Sequence, residues 1–366
     1  MKFVQIHELV SYPASNLNRD DLQRPKTVRM GDSTRLRISS QSLKRAWRVS
    51  DVMHDAFPEM GIRTNKLSEY IQEALEKGMT LKDLISGGTE VTRQPVDRKI
   101  AKEYGASIDD RFRSQKASAD DDSDDDDKKG KKKEKKKQLL HYSPAELNRV
   151  DELMARISQG EKPEIPDMLS EGDFPVDIAM FGRMVANDVR FNCEAAVQVA
   201  HAFTVHKGVV EDDFFTAVDD LSGDDDQGAG HLSELGFGAG LFYIYICVDF
   251  ELLTKNIGSE ELARKALFKL IEASATVSPT GKQNSFASRA YASYILVEKG
   301  DRQPRSLSSA FLKPIKGDDM LKEAIDSIRM TESNMNSVFG MCYDDSYEMD
   351  VSTGTGSFEG LAAFLQ

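Results

Sequence analysis

The chain has 366 residues, a formal charge of -13, 40% hydrophobic residues, three cysteines and six histidines. That length fills one large domain or two ordinary ones and buries a core without staples. No apolar run nears the ~20 residues of a membrane span, the start lacks a signal-peptide pattern, and the scattered Cys and His argue against a zinc site or disulfide framework, so a cytoplasmic, soluble globular protein is expected.

Residues 2 to 11 alternate as a strand, with Val4, Ile6 and Val10 facing away from Gln5 and His7. Residues 16 to 33 carry Pro, Gly, Asn and Asp and read as a loop. "TRLRI" is a short strand, and residues 39 to 57 follow as one helix with Ser39 or Ser40 as N-cap. Its apolar face is Leu43, Ala46, Trp47, Met53 and Phe57. Gln41, Lys44, Arg45 and Arg48 share another face through i, i+3, i+4 and i+7 spacing. Residues 1 to 50 sum to +6 and the rest of the chain to -19, so any polyanion contact belongs to this cationic segment.

Residues 66 to 160 read as mainly helical, with "SPAE" at 143 to 146 as a capping box. Inside lies "DDDSDDDDKKGKKKEKKK", whose charges cancel and which has no apolar residue to fold around. It is read as a disordered loop. Contact with nucleic acid through its lysines and a merely solvated insertion stay open as alternatives. "CEAAVQVAHAFTVH" suggests a strand, with helix as the alternative, and His201 and His206 fall on opposite faces of it in a structural role. "LFYIYICVDF" is a buried strand. The excursion from 207 to 240 is long and Gly-punctuated; its stretch 211 to 234 has nine acids and no Lys or Arg. Helix, strand and helix follow at 259 to 275, 291 to 299 and 318 to 330, and "GSFEGLAAFLQ" ends the chain as a short helix. The order is an α+β pattern.

The segments "LNRDDLQRPKT", "RLRISSQSLKRAWR", "AMFGRMVA", "AVQVAHAFTVH", "DDFFTAVDDL", "GAGHLSELGFGAGLFY" and "PTGKQNSFASR", in this order, resemble the backbone subunit of the type I-E CRISPR surveillance complex Cascade, the CasC or "Cas seven" family. The Asp/Lys insertion is not part of that pattern. The resemblance implies an RNA-recognition-motif-like palm (1–58, 176–206 and 241–366), an inserted helical fingers domain (59–175, with the Asp/Lys loop at about 118–138) and a protruding β-hairpin thumb (207–240). It implies head-to-tail copies along CRISPR RNA. The thumbs kink the RNA at intervals so that the rest pairs with target DNA in an R-loop. It further implies a cytoplasmic ribonucleoprotein with a large subunit, a small subunit, a Cas five-type cap and a Cas six-type RNA endonuclease. No catalysis, cofactor, metal or membrane is implied.

The residues fit that chemistry. Lys44, Arg45 and Arg48 reach phosphates, Ser39, Ser40, Gln41 and Ser42 supply neutral donors, and the helix start adds N–H groups and a positive dipole end. The family match makes Lys26, Ser39, Gln41, Lys44 and Arg48 the leading contacts, with Arg45 either a contact or a brace. It assigns Phe214, Phe215 and Thr216 to the thumb, where an aromatic wedge replaces a base in its stack, and Met184 to the kinked nucleotide. Ordinary packing is the alternative for the phenylalanines and for Met184. Arg24, Lys282 and Arg289 are further RNA or neighbour contacts, with a purely structural role open. The acids of the excursion are expected to face basic surface on the next copy. A competing reading is a metal-dependent ribonuclease like the type III relatives, with Asp20, Asp21 and Asp32 holding Mg²⁺.

Overall fold

The computed structural model describes residues 1–113, 139–172, 174–185, 188–216 and 232–366. The Asp/Lys insertion, Val218 and the acids Asp219, Asp220 and Asp224 to Asp226 lie outside the described residues. In chain order the elements are β1 (Phe3–Ser15), β2 (Thr27–Met30), β3 (Ser33–Ile38), α1 (Ser40–Arg48), α2 (Asp51–Ala56), β4 (Ile62–Thr64), α3 (Leu67–Lys77), α4 (Leu81–Ile85), α5 (Arg98–Arg113), β5 (Leu140–Tyr142), α6 (Pro144–Ser158), α7 (Val176–Phe181), β6 (Val197–Val199), β7 (Ala202–Thr204), β8 (Glu211–Thr216), β9 (Leu232–Asp249), α8 (Phe250–Ile257), α9 (Glu260–Thr276), α10 (Gln283–Phe286), β10 (Ala292–Gly300), α11 (Met320–Phe339), β11 (Asp345–Asp350) and α12 (Phe358–Phe364). Helices and antiparallel strands make an α+β protein, as expected. No helix among the described residues is long and apolar enough to cross a membrane.

The chain divides into two compact units. The first comprises Met1–Phe57, Val197–Thr254 and Ser259–Gln366; the second comprises Pro58–Ala196 and Lys255–Gly258. Residues 176 to 196, grouped with 197 to 206 in the sequence reading, cluster with the second unit.

The first unit is built on one sheet in the order β11-β10-β1-β9-β7-β3-β2, with β6 and β8 also on β9. β1 runs between β10 and β9 and is buried along both faces, so Gln5 and His7, on the face opposite Val4 and Ile6, are buried as well. Leu9, Tyr243, Leu296, Leu307, Phe311, Ala324, Ile325 and Ile328 pack on one face, beneath α11 and the turn at Ser308–Phe311. Polar groups buried there are paired: His7 Nδ1 lies 2.8 Å from the Tyr243 hydroxyl, and Glu298 takes a bidentate Arg305 at 2.6 and 3.0 Å. On the opposite face α9 brings Ser274 Oγ to 2.5 Å from Glu8 Oε1. His7, Glu8 and Glu298 thus each find a partner, as burial demands, although Glu8 Oε2 and Arg305 Nε have none among the described residues.

Three local differences from the sequence reading have physical causes. The helix expected over 39 to 57 is two helices. Ser50 Oγ donates to Trp47 O at 2.7 Å and accepts from Met53 N, so it closes α1 and caps α2. The strand expected around Ala200 is also two pieces, β6 and β7, both on β9; Ala200 N–H still donates to Tyr245 O at 2.9 Å, and the chain leaves the ladder at His201. β11, "DSYEMD", was missed because its acids hide the strand period, and such charge is usual on an edge strand.

The second unit packs α3, α5 and α6 around Leu67, Ile71, Ile108, Phe112, Val150 and Met154. Its capping box is present as expected: Ser143 Oγ accepts from Glu146 N, and Glu146 Oε2 accepts from Ser143 N at 2.7 Å. The same carboxylate takes Arg183 Nη1 at 2.8 and 3.0 Å, both side chains fully buried. Arg183 also donates to Phe191 O and Ser170 O.

Candidate nucleic-acid interface

The loop before β2 is a fixed structure. Asp20 Oδ1 accepts from the N–H groups of Leu22 and Arg24 at 2.9 and 3.0 Å, closing a tight turn. Asn16 Nδ2 donates to Gln23 O and, at 2.7 Å, to Gly236 O on β9. Asn18 Oδ1 accepts from Ser39 N at 2.9 Å, tying the loop to the start of α1. Ser39 is the N-cap, its hydroxyl accepting from Ser42 N at 3.3 Å. Ser40 N–H donates to His201 Nδ1 at 3.0 Å. The helix start therefore holds fewer free donors than its sequence suggested. Among the described residues, the Gln41 N–H is the one of the first three that no partner takes.

The cations sort into two groups. Arg35 is fully buried and donates to Thr204 O at 2.8 Å and Phe311 O at 2.9 Å, so it binds the strands together. Lys44 is half-buried, and its amine donates to Val197 O at 3.2 Å. Burial lowers its pKa from the ordinary lysine value. Arg45 and Gln41 are exposed, while Lys26, Arg37, Ser40, Ser42 and Arg48 are half-buried. Arg45, set as contact or brace, thus faces solvent, and Lys44 is the one that reaches into the fold. Arg37 and His201 belong to this surface, although the sequence reading gave His201 a structural role only and did not place Arg37 among the contacts. The Arg37 guanidinium sits 3.3 Å from His201 Nδ1. The signal that finds His201 is the break between β6 and β7, which no composition rule reveals.

β8 and the first part of β9 form a hairpin, Glu211 opposite Phe237 and Thr216 opposite Leu232. Its base fits tightly against β3. A Cβ at Gly238 would stand 2.7 Å from Leu36 Cδ1 and 2.9 Å from Val209 O. Arg24 grips Asp212 with two bonds of 2.8 and 3.0 Å, joining the loop to β8. Phe214 and Phe215 are 66% and 50% exposed, and as neighbours on a strand they point to opposite faces. Lys282 and Arg289, both exposed, flank α10. That segment packs beside the same loop. The Phe286 ring lies 5.9 Å from Phe237, and a Cβ at Gly281 would meet Leu17 O at 2.2 Å. The first unit thus brings Arg24, Lys26, Arg45, Arg48, Lys282, Arg289 and the phenylalanines onto elements that contact one another. Met184 belongs to the second unit, where buried Arg183 fixes its backbone and leaves its side chain 69% exposed.

Two of the loop's three acids already make hydrogen bonds, while the exposed Asp21 side chain makes none among the described residues. Asp20 caps its turn, and Asp32 Oδ1 accepts from Ser33 Oγ at 2.9 Å. Among the described residues no three His, Cys, Asp or Glu side chains come together as a metal site.

The chain matches the family model of CT1975-like proteins (Cas_CT1975) over residues 4–360. It belongs to this family. It is also similar to a chain of a solved structure described as "CRISPR RNA-guided surveillance complex, pre-nicking", with TM-score 0.76, 28% identity and 100% of both chains covered. A chain from another "CRISPR RNA-guided surveillance complex" is similar with TM-score 0.59 and 25% identity, covering 100% of this chain and 98% of that one. No curated protein matches.

Proposed function

We propose that the chain is a non-catalytic, CRISPR RNA-binding backbone subunit of a type I-E Cascade complex in antiviral defence. Copies stack head to tail along the guide and hold it by its phosphates. The observation that carries this reading is an acid-free cationic segment anchored at the start of α1, in a chain similar over its whole length to chains of CRISPR RNA-guided surveillance complexes. Exposed Arg45 and Gln41, with Lys26, Ser40, Ser42 and Arg48, offer charge and donors suited to any sugar-phosphate backbone, and sequence is left to base pairing with target DNA.

The first unit serves as a palm related to the RNA-recognition motif. Supporting this, β1, the α1–α2 pair, β6/β7, β9, α9 and β10 follow one another as β-α-β-β-α-β, with spatial order β10-β1-β9-β7. Both faces of that sheet are covered, one by α9 and the other by α11 and residues 308–311. RNA therefore runs over the loops and α1 rather than across the strands. The second unit serves as fingers and the β8–β9 hairpin as a thumb. Phe214 and Phe215 wedge the RNA, and Met184 packs against the kinked nucleotide.

The test is co-expression with guide RNA and the partner subunits. RNA-bearing particles with a periodic backbone are expected. A chain that stays monodisperse and RNA-free beside its partners would refute the reading. Incubating the assembled complex with complementary RNA and Mg²⁺ should leave that RNA intact; regular cuts lost in Asp32→Ala would establish the nuclease instead.

A further inference from the structure

We infer that Lys26, Arg37 and His201 form a phosphodiester subsite beside the start of α1, in which His201 presents its Nε2–H as an uncharged donor. The inference rests on the RNA-binding reading and adds two residues to it.

The tautomer follows from geometry. His201 Nδ1 lies 3.0 Å from Ser40 N and 3.3 Å from Arg37 Nη1. Both are donors only, so Nδ1 is an acceptor and the ring proton sits on Nε2. Protonating Nδ1 would turn its N–H toward a peptide N–H and a guanidinium. Burial and the charges of Arg37 and Lys26 all lower the His201 pKa, which keeps the ring neutral. Nε2 has no hydrogen-bond partner among the described residues, and the side chain is exposed because the chain leaves the ladder between β6 and β7.

The backbone holds the three groups together. Arg37 N–H donates to Lys26 O at 2.8 Å, and His201 is bonded to the first residue of α1. Cations this close repel one another, and an anion between them relieves that repulsion. The exposed Gln41 N–H has no partner among the described residues and adds an oriented donor at the same helix start. Carboxylates are absent from the groups that shift His201. An RNA phosphate fits this chemistry: two cations for its charge, and Nε2–H and a peptide N–H for its oxygens.

The test uses the full chain assembled with its partner subunits, and synthetic single-stranded RNA of two unrelated sequences titrated over a range of salt. Lys26→Gln and Arg37→Gln should each reduce the magnitude of the slope of log affinity against log salt by about 0.7. His201→Ala should weaken binding by about tenfold for both sequences and leave that slope unchanged, because the lost donor carries no charge. RNA bearing uncharged methylphosphonate linkages should bind the parent less tightly and bind Arg37→Gln with a smaller further loss. Because His201 also holds Ser40, thermal melting accompanies each variant. Arg37→Gln, which leaves the bond between Ser40 and His201 in place, keeps the test decisive if His201→Ala unfolds. Parent affinity and parent slope in both Lys26→Gln and Arg37→Gln, with RNA still bound by the parent, would overturn the subsite alone. A parent complex that holds no RNA would overturn the proposed function and the subsite with it.

Discussion

Replacing both Phe214 and Phe215 with alanine separates a wedge from a small core. Full burial of a phenylalanine is worth roughly 1.5–3 kcal/mol. At 66% and 50% exposure only about a third and a half of that is at stake, so the double variant should lose no more than about 2.5 kcal/mol of stability. A base stacked on an aromatic ring is worth roughly 1–3 kcal/mol, and that term should vanish with the rings. Because the two side chains point to opposite faces of β8, one ring at most stacks on a given base. The two single variants should therefore differ, with one reproducing most of the double variant's effect. The assay is chemical probing of nucleotide accessibility along the guide in the assembled complex, beside a melting curve. The expected result is a near-parent melting temperature with a blurred periodic pattern. Unchanged periodicity in the double variant would refute the wedge, and a collapse of the melting transition would identify the rings as core.

Three further perturbations address other parts of the fold. Arg45→Ala should leave stability within about 0.5 kcal/mol and flatten the salt dependence of RNA binding, whereas Lys44→Ala should lower the melting temperature through loss of about 1 kcal/mol from the bond to Val197 O; calorimetry beside RNA titration distinguishes them. Burial raises the Glu8 pKa to about 8, against a smaller lowering by the Ser274 hydroxyl, so the folded chain holds a proton that the unfolded chain releases. Stability from this group is full below about 4.5 and falls as pH rises through about 8, by up to roughly 5 kcal/mol; Glu8→Gln should flatten that decline in denaturant titrations at pH 6 and 9. Arg183→Ala strands a buried Glu146 and should destabilise the chain by roughly 3–5 kcal/mol, read in urea unfolding.

Legibility in the sequence followed the range of the interaction. Ser39 capping α1 and Ser143 with Glu146 capping α6 were readable because each cap closes within a few residues. The apolar face of Leu43, Ala46 and Trp47 was readable because helical period alone sets it. Hidden from the sequence were the partners that arrive from far along the chain. In the sequence Arg35 is one of several cations of this segment, and nothing local shows that the carbonyls that bury it come from Thr204 and Phe311. His201 looked structural because the break that exposes it depends on where β9 lets go of the chain. Glu146 read as a cap only; its second role needs Arg183, 37 residues away.

These long-range partners also explain how an acidic chain can present a local positive field. Arg35 and Lys44 spend their donors on backbone carbonyls, and Arg24 is neutralised by Asp212, so the cationic character of the segment is narrower than its composition. Those that stay exposed or half-exposed include Lys26, Arg29, Arg37, Arg45 and Arg48, on β2, β3 and α1 and in the loop tied to α1 through Asn18. A field confined to elements that brace one another attracts a phosphate chain along one track, while the surplus of negative charge elsewhere repels it.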